Sequence, residues 1–129
     1  MTVRLVVVRV GFAFAGAVIC LATLVAHRHV WSLFGVDLPW GLVLSLGTTY
    51  LIIRAAALLD GPAGALCVAL AWVAVLLYLF GGRAEGDYLF ASDWLGYSVL
   101  IGGLLAVGAG VVVSVSGPRA ATRTSRPTI

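Results

Sequence analysis

The sequence predicts an all-α, polytopic membrane protein with four transmembrane helices in an antiparallel bundle. Three observations carry that reading. The chain of 129 residues is 62% hydrophobic and only 10% charged, whereas a soluble domain is roughly a quarter charged. It has no Lys, Asn or Gln, and all eight of its cations are Arg, so the residues that normally coat a soluble surface are missing. Its apolar residues gather into four runs, 3–26, 38–59, 63–80 and 95–116, each near the ~20 residues that cross a bilayer. Residues 1–116 therefore form one transmembrane domain. The stretch 117–129, with three Arg and no apolar periodicity, is expected to be a disordered basic cytoplasmic tail.

The first run is free of charge for 17 residues, Val10 to Ala26, about 25 Å at helical rise. That is short for a core of ~30 Å, so the helix is expected to start upstream of Arg9, with Arg4 and Arg9 reaching to the headgroups along their aliphatic stems. A cleaved signal peptide is the competing reading. No small-x-small site follows the run, and the bulky Ile19 precedes Cys20, which argues against a lipoprotein signal. An uncleaved helix is expected.

Residues 27–38, HRHVWSLFGVDL, read as a loop lying at the membrane interface between Trp31 and Trp40. Pro39 stands at the first turn of the second run, where a missing N–H costs nothing. Asp60-Gly61-Pro62 is a turn signal, so runs two and three are expected to form a tight helical hairpin. The third run is charge-free from Ala63 to Phe80. An acidic loop follows, with Arg83, Glu85, Asp87 and Asp93 set between two apolar runs, and Gly117-Pro118 ends the fourth.

Arginine placement sets the orientation. With both termini in the cytoplasm, Arg4, Arg9, Arg54, Arg119, Arg123 and Arg126 lie inside and Arg28 and Arg83 outside. The protein is expected in the cell membrane with both ends inside. No basic face carries interleaved aromatics, which argues against nucleic acid as a partner.

Small residues recur every four positions in the fourth run, at Ser98, Gly102, Ala106, Gly110 and Ser114. Such a stripe lets backbones approach where lipid is as apolar as the side chains. It can build the bundle itself or receive another protein. Shorter stripes are Gly41, Ser45, Thr49 and Ala63, Cys67, Ala71.

Candidate chemistry is sparse. Counting from the inner surface places Cys20 and Cys67 at depths about 15 Å apart, too far for a disulfide, and both are expected to be small buried hydrophobes. His27 and His29 are expected as an exposed interfacial pair, because neither a three-ligand metal site nor a facing haem site is offered. No catalytic, metal-binding or cofactor-binding residue is assigned, and no enzyme activity is expected. Arg54 is the one charge placed inside the hydrocarbon. It either snorkels to lipid headgroups or faces the bundle, and intramembrane charges are functional candidates by default. No Asp or Glu falls within the four runs, which separates the chain from the four-helix small multidrug transporters. The absence of Asn separates it from fluoride channels of similar size.

The stretch Arg83-Ala84-Glu85-Gly86-Asp87-Tyr88-Leu89-Phe90, with Gly96-Tyr97 and Gly102-Gly103, resembles a family of small actinobacterial integral membrane proteins of unknown function, the DUF6113 type. The family pattern reads R-P-E-G-D-aromatic-L, then a short link, aromatic-L and paired glycines. The chain departs from it at Ala84, where Pro is usual, and at Ser98-Val99. The Arg-rich, Lys-free composition fits a GC-rich genome. The resemblance implies the four-helix layout and a role for the 83–93 loop, and brings no activity with it.

Two functional readings follow. The first is a non-enzymatic accessory subunit that binds another membrane protein, or a second copy of itself, through its helices and outer loop. The alternative is a small oligomeric carrier or channel for an uncharged or anionic solute, built around Arg54 with Ser45, Thr48, Thr49 and Tyr50. The lipid bilayer is a partner in both.

Overall fold

In the computed structural model the described residues are 2–81 and 94–117. They form α1 (Thr2–Ala26), β1 (Trp31–Leu33), β2 (Val36–Leu38), α2 (Trp40–Gly81) and α3 (Trp94–Ser116). Each helix is long and apolar enough to cross a membrane. The acidic loop lies outside the described residues, and so does the tail from residue 118.

Four helices are expected and three are found, because the runs 38–59 and 63–80 are joined in α2. A straight helix of 42 residues would reach about 63 Å, twice the hydrocarbon thickness. This one is not straight. Asp60 (φ −132°, ψ 20°) and Gly61 (φ 63°, ψ −157°) leave the helical region, and Pro62 follows. A positive φ suits glycine, which has no Cβ to clash, and proline supplies no N–H to extend the ladder backwards. The chain folds back on itself here. A Cβ built on Gly64 would lie 2.5 Å from the Ala56 carbonyl oxygen, although eight residues of straight helix would separate the two by about 12 Å.

Contacts fix how the pieces run. α1 lies along the second arm of α2 in the same direction, Arg9 meeting Asp60 and Gly16 meeting Val68. α3 lies along the first arm, with Gly102 against Leu46 and Gly110 against Ile53. The two pairs point opposite ways. Trp72, fully buried, ties them together by laying its ring edge on Gly103 of α3, where a Cβ would come within 2.5 Å. Close packing of this kind is what holds apolar helices together in lipid, where no hydrophobic force draws one helix to another.

Arg9, rather than Arg4, stands level with the turn at Asp60. The first turns of α1 therefore project beyond it, and Val3, Val6, Val7 and Val8 are exposed. This offset revises the cysteine depths. Gly16 is level with Val68, so Cys20 stands only about 7 Å further along than Cys67. Both thiols are free, Cys20 buried and Cys67 half-buried.

The second difference from the sequence reading is the antiparallel hairpin β1–β2, paired Trp31 with Leu38, Ser32 with Asp37 and Leu33 with Val36. Phe34 (φ 55°) and Gly35 (φ 79°) make its two-residue turn, the positive-φ geometry whose twist matches that of the strands. Its base is fastened to the helices. The His29 N–H donates to the Ala26 carbonyl (3.0 Å) and the Gly41 N–H donates to the His29 carbonyl (3.2 Å).

Candidate functional site

The polar side chains of the spans fall into three groups, and they differ in what satisfies them. At the Asp60 end, Arg9 Nε donates to Asp60 Oδ2 at 3.0 Å. The Arg9 side chain is 41% exposed, so the pair is worth on the order of 0–1 kcal/mol; its main effect is to fix α1 against the turn. At the same end Arg54 Nη1 donates to Ser114 Oγ at 3.3 Å, and Ser114 Oγ donates to the Gly110 carbonyl at 2.6 Å. Ile53 packs on Gly110, so the Arg54 backbone is level with residue 111. Its guanidinium meets Ser114, about 4.5 Å nearer the Asp60 end. Arg54 is half-buried, lies against α3 and extends toward the end of the bundle.

The second group is the hydroxyls of α2. Ser45 donates to the Leu42 carbonyl (3.0 Å), Thr48 to Leu44 (2.7 Å) and Thr49 to Ser45 (2.8 Å). Ser45 and Thr49 are buried while Thr48 is exposed. All three bond to carbonyls of their own helix; Ser45 and Thr49 share the buried face, and Thr48 points away from it.

The third group is at the hairpin end. His27 is 1% exposed, which corrects the expectation of an exposed pair; His29 alone is exposed. The cause is local. The His27 N–H donates to the Thr23 carbonyl, carrying the helical path one step past Ala26 and keeping the imidazole on the buried stripe of Cys20, Thr23 and Leu24. The 20-24-27 spacing was the signal for this. Among the described residues, Thr23 Oγ1, His27 Nδ1 and Trp72 Nε1 are buried without a hydrogen-bond partner.

Of the small-residue stripe in α3, Gly102 faces Leu46, Gly110 faces Ile53 and Ser114 receives Arg54, while Ser98 and Ala106 are half-buried. The fully buried residues of α3 are Gly96, Val99, Gly103, Val107 and Gly110. Glycines at 96, 103 and 110 recur every seven positions, and that heptad spacing could have found Gly96 and Gly103 beforehand. On α2, Gly41, Ser45 and Thr49 are buried, whereas Ala63, Cys67 and Ala71 are half-buried beside Gly64, Val68 and Trp72. Arg83, Glu85, Asp87 and Asp93 lie outside the described residues. No three of the described His, Cys, Asp or Glu residues gather as metal ligands would. No family model, curated protein or solved structure matches the chain.

Proposed function

We propose that this is a four-span protein of the cell membrane, with both termini cytoplasmic, that serves as a non-enzymatic accessory subunit by binding a larger membrane protein. The fold-back at Asp60-Gly61 supports four spans, because each arm of α2 holds about 20 residues, the number a bilayer needs. The excess of arginine at the termini and the Asp60 end supports the orientation. The hairpin then lies at the outer surface. Trp31, Leu33, Val36 and Leu38 share one of its faces and Ser32 and Asp37 the other, an amphipathic arrangement suited to the headgroup boundary. The resemblance of the 83–103 stretch to small membrane proteins of the DUF6113 type is consistent with this layout.

One observation carries the choice of function. The hydroxyls that would have to line a solute path are bonded to carbonyls of their own helix. A carrier needs polar groups free to exchange partners with its solute, and the Ser and Thr hydroxyls described on the first arm of α2 are already committed. The small residues of α3 at 102, 103 and 110 are likewise occupied by α2, so a partner would meet the outer apolar faces or the 83–93 loop.

Purification from the native host in mild detergent tests the reading. A membrane protein should copurify at fixed stoichiometry and be released by Glu85→Gln with Asp87→Asn. If the chain instead purifies alone, and reconstituted vesicles show solute flux that Arg54→Gln abolishes, the carrier reading replaces it.

A further inference from the structure

Among the described residues, the Asp60 end holds a guanidinium that meets no anion. Arg54 has five N–H donors, and among the described residues it has one acceptor, a neutral serine hydroxyl. The acid near this end is already engaged, since Asp60 Oδ2 accepts from Arg9. Of the other four acids in the chain, Asp37 is in the hairpin at the opposite end, and Glu85, Asp87 and Asp93 lie outside the described residues. The carbonyls ending α3 favour a cation nearby, but none accepts from Arg54 among the described residues. A half-buried, unneutralised arginine next to hydrocarbon is costly, and the group best matched to its planar fork is a carboxylate or phosphate.

The surroundings select the source of that anion. Arg54 stands six residues before Asp60, about 9 Å into the span. Leu51 and Leu58 beside it on α2, and Val113 and Val115 on α3, are exposed. The flanks of the site are thus open apolar side chains, the surface an acyl chain covers, rather than a polar mouth that would admit a hydrated ion. The guanidinium is directed from this apolar flank toward the end of the bundle, where headgroups lie.

We propose that Arg54, held by Ser114, forms a discrete phosphate-binding site between α2 and α3, occupied by the phosphodiester of one membrane lipid. The lipid's phosphate oxygens accept from the free guanidinium N–H groups. Its acyl chains lie along Leu51, Leu58 and Val113. Ser114 orients the fork by accepting one N–H while its own proton is committed to the Gly110 carbonyl. This site does not depend on the accessory-subunit reading, because lipid binding is measured on the purified chain without any partner.

The test is native mass spectrometry of the full-length protein titrated with phosphatidylglycerol. Wild type should retain one lipid per chain. Arg54→Gln should weaken that first binding step at least tenfold, and Arg54→Lys, which keeps the charge but loses the fork, by several-fold. Circular dichroism and gel filtration establish that each variant is folded, and Arg54→Lys keeps the test valid should the glutamine variant fail to fold. Arg4→Gln removes a cation from the same end and should leave the step unchanged. A loss with Arg4→Gln equal to that with Arg54→Gln would mean diffuse attraction and no site. Displacement of the lipid by millimolar inorganic phosphate would overturn the lipid assignment in favour of a soluble anion.

Discussion

The chain reverses direction twice within the described residues, and the two reversals use the same parts for different ends. Each contains a glycine at positive φ, Gly35 in one and Gly61 in the other. Each is followed by a glycine lodged against a carbonyl of the preceding helix, Gly41 against Ala26 and Gly64 against Ala56. There the likeness stops. Asp60-Gly61-Pro62 turns within three residues and is pinned to α1 by Arg9. The connection 27–39 inserts a hairpin whose six strand residues are all exposed. A reversal needs only the short form. The longer one adds an aromatic surface that the bundle does not require for its own closure.

The comparison is sharpest if the two reversals lie on opposite sides of a membrane. A reporter enzyme active only in the cytoplasm, fused after Asp60, should be active, and the same reporter fused after Gly35 should be silent. Equal activity at both sites would remove the crossing between them. The next effect concerns the glycines that fasten each reversal. In Gly41→Val the side chain would meet the Ala26 backbone oxygen, and in Gly64→Val that of Ala56. Backbone yields less than a side chain does, so each should cost about 3 kcal/mol or more. Gly47 and Gly108 meet nothing within 4 Å, and replacing either with Ala should be neutral or stabilise by up to ~1 kcal/mol. Unfolding in mixed micelles measures all four. A uniform response would mean that close approach does not hold the helices.

The two reversals were not equally legible. Asp60-Gly61-Pro62 announces itself because each residue has a backbone preference that opposes helix. The sequence does not show that the departure from helical backbone is confined to Asp60 and Gly61. From sequence the hairpin reads as a loop, since its turn is Phe-Gly rather than Asn-Gly and its strands are three residues long. Its one sequence signal was alternation, Trp31-Ser32-Leu33 answered by Val36-Asp37-Leu38. The burial of His27 was missed for a related reason, as polar residues at a helix end were assigned to solvent although the heptad stripe passes through them. Arg54 is legible in the sequence as a charge inside an apolar run, which needs no geometry to be noticed. Its partner is not, because Ser114 lies 60 residues away and only the packing of α3 on α2 brings it there.

The smallest effect lies in the hairpin turn itself. Phe34 holds φ at 55°, where the Cβ of an L-residue crowds its own backbone at a cost of about 1–2 kcal/mol, and its side chain is 99% exposed. Within the protein the ring returns nothing for that strain. Asn tolerates the same backbone and is a favoured residue in this turn. Phe34→Asn should therefore tighten the hairpin by up to ~1 kcal/mol, slowing hydrogen exchange at the Leu33 and Val36 amides roughly fivefold. The measurement belongs in both detergent and lipid nanodiscs, because the ring is almost wholly exposed at the tip of the hairpin. Faster exchange in nanodiscs with slower exchange in detergent would show that lipid contact at Phe34 outweighs the backbone strain. The turn would then keep Phe for what it touches outside the protein, whereas the Asp60 reversal is held from within by Arg9.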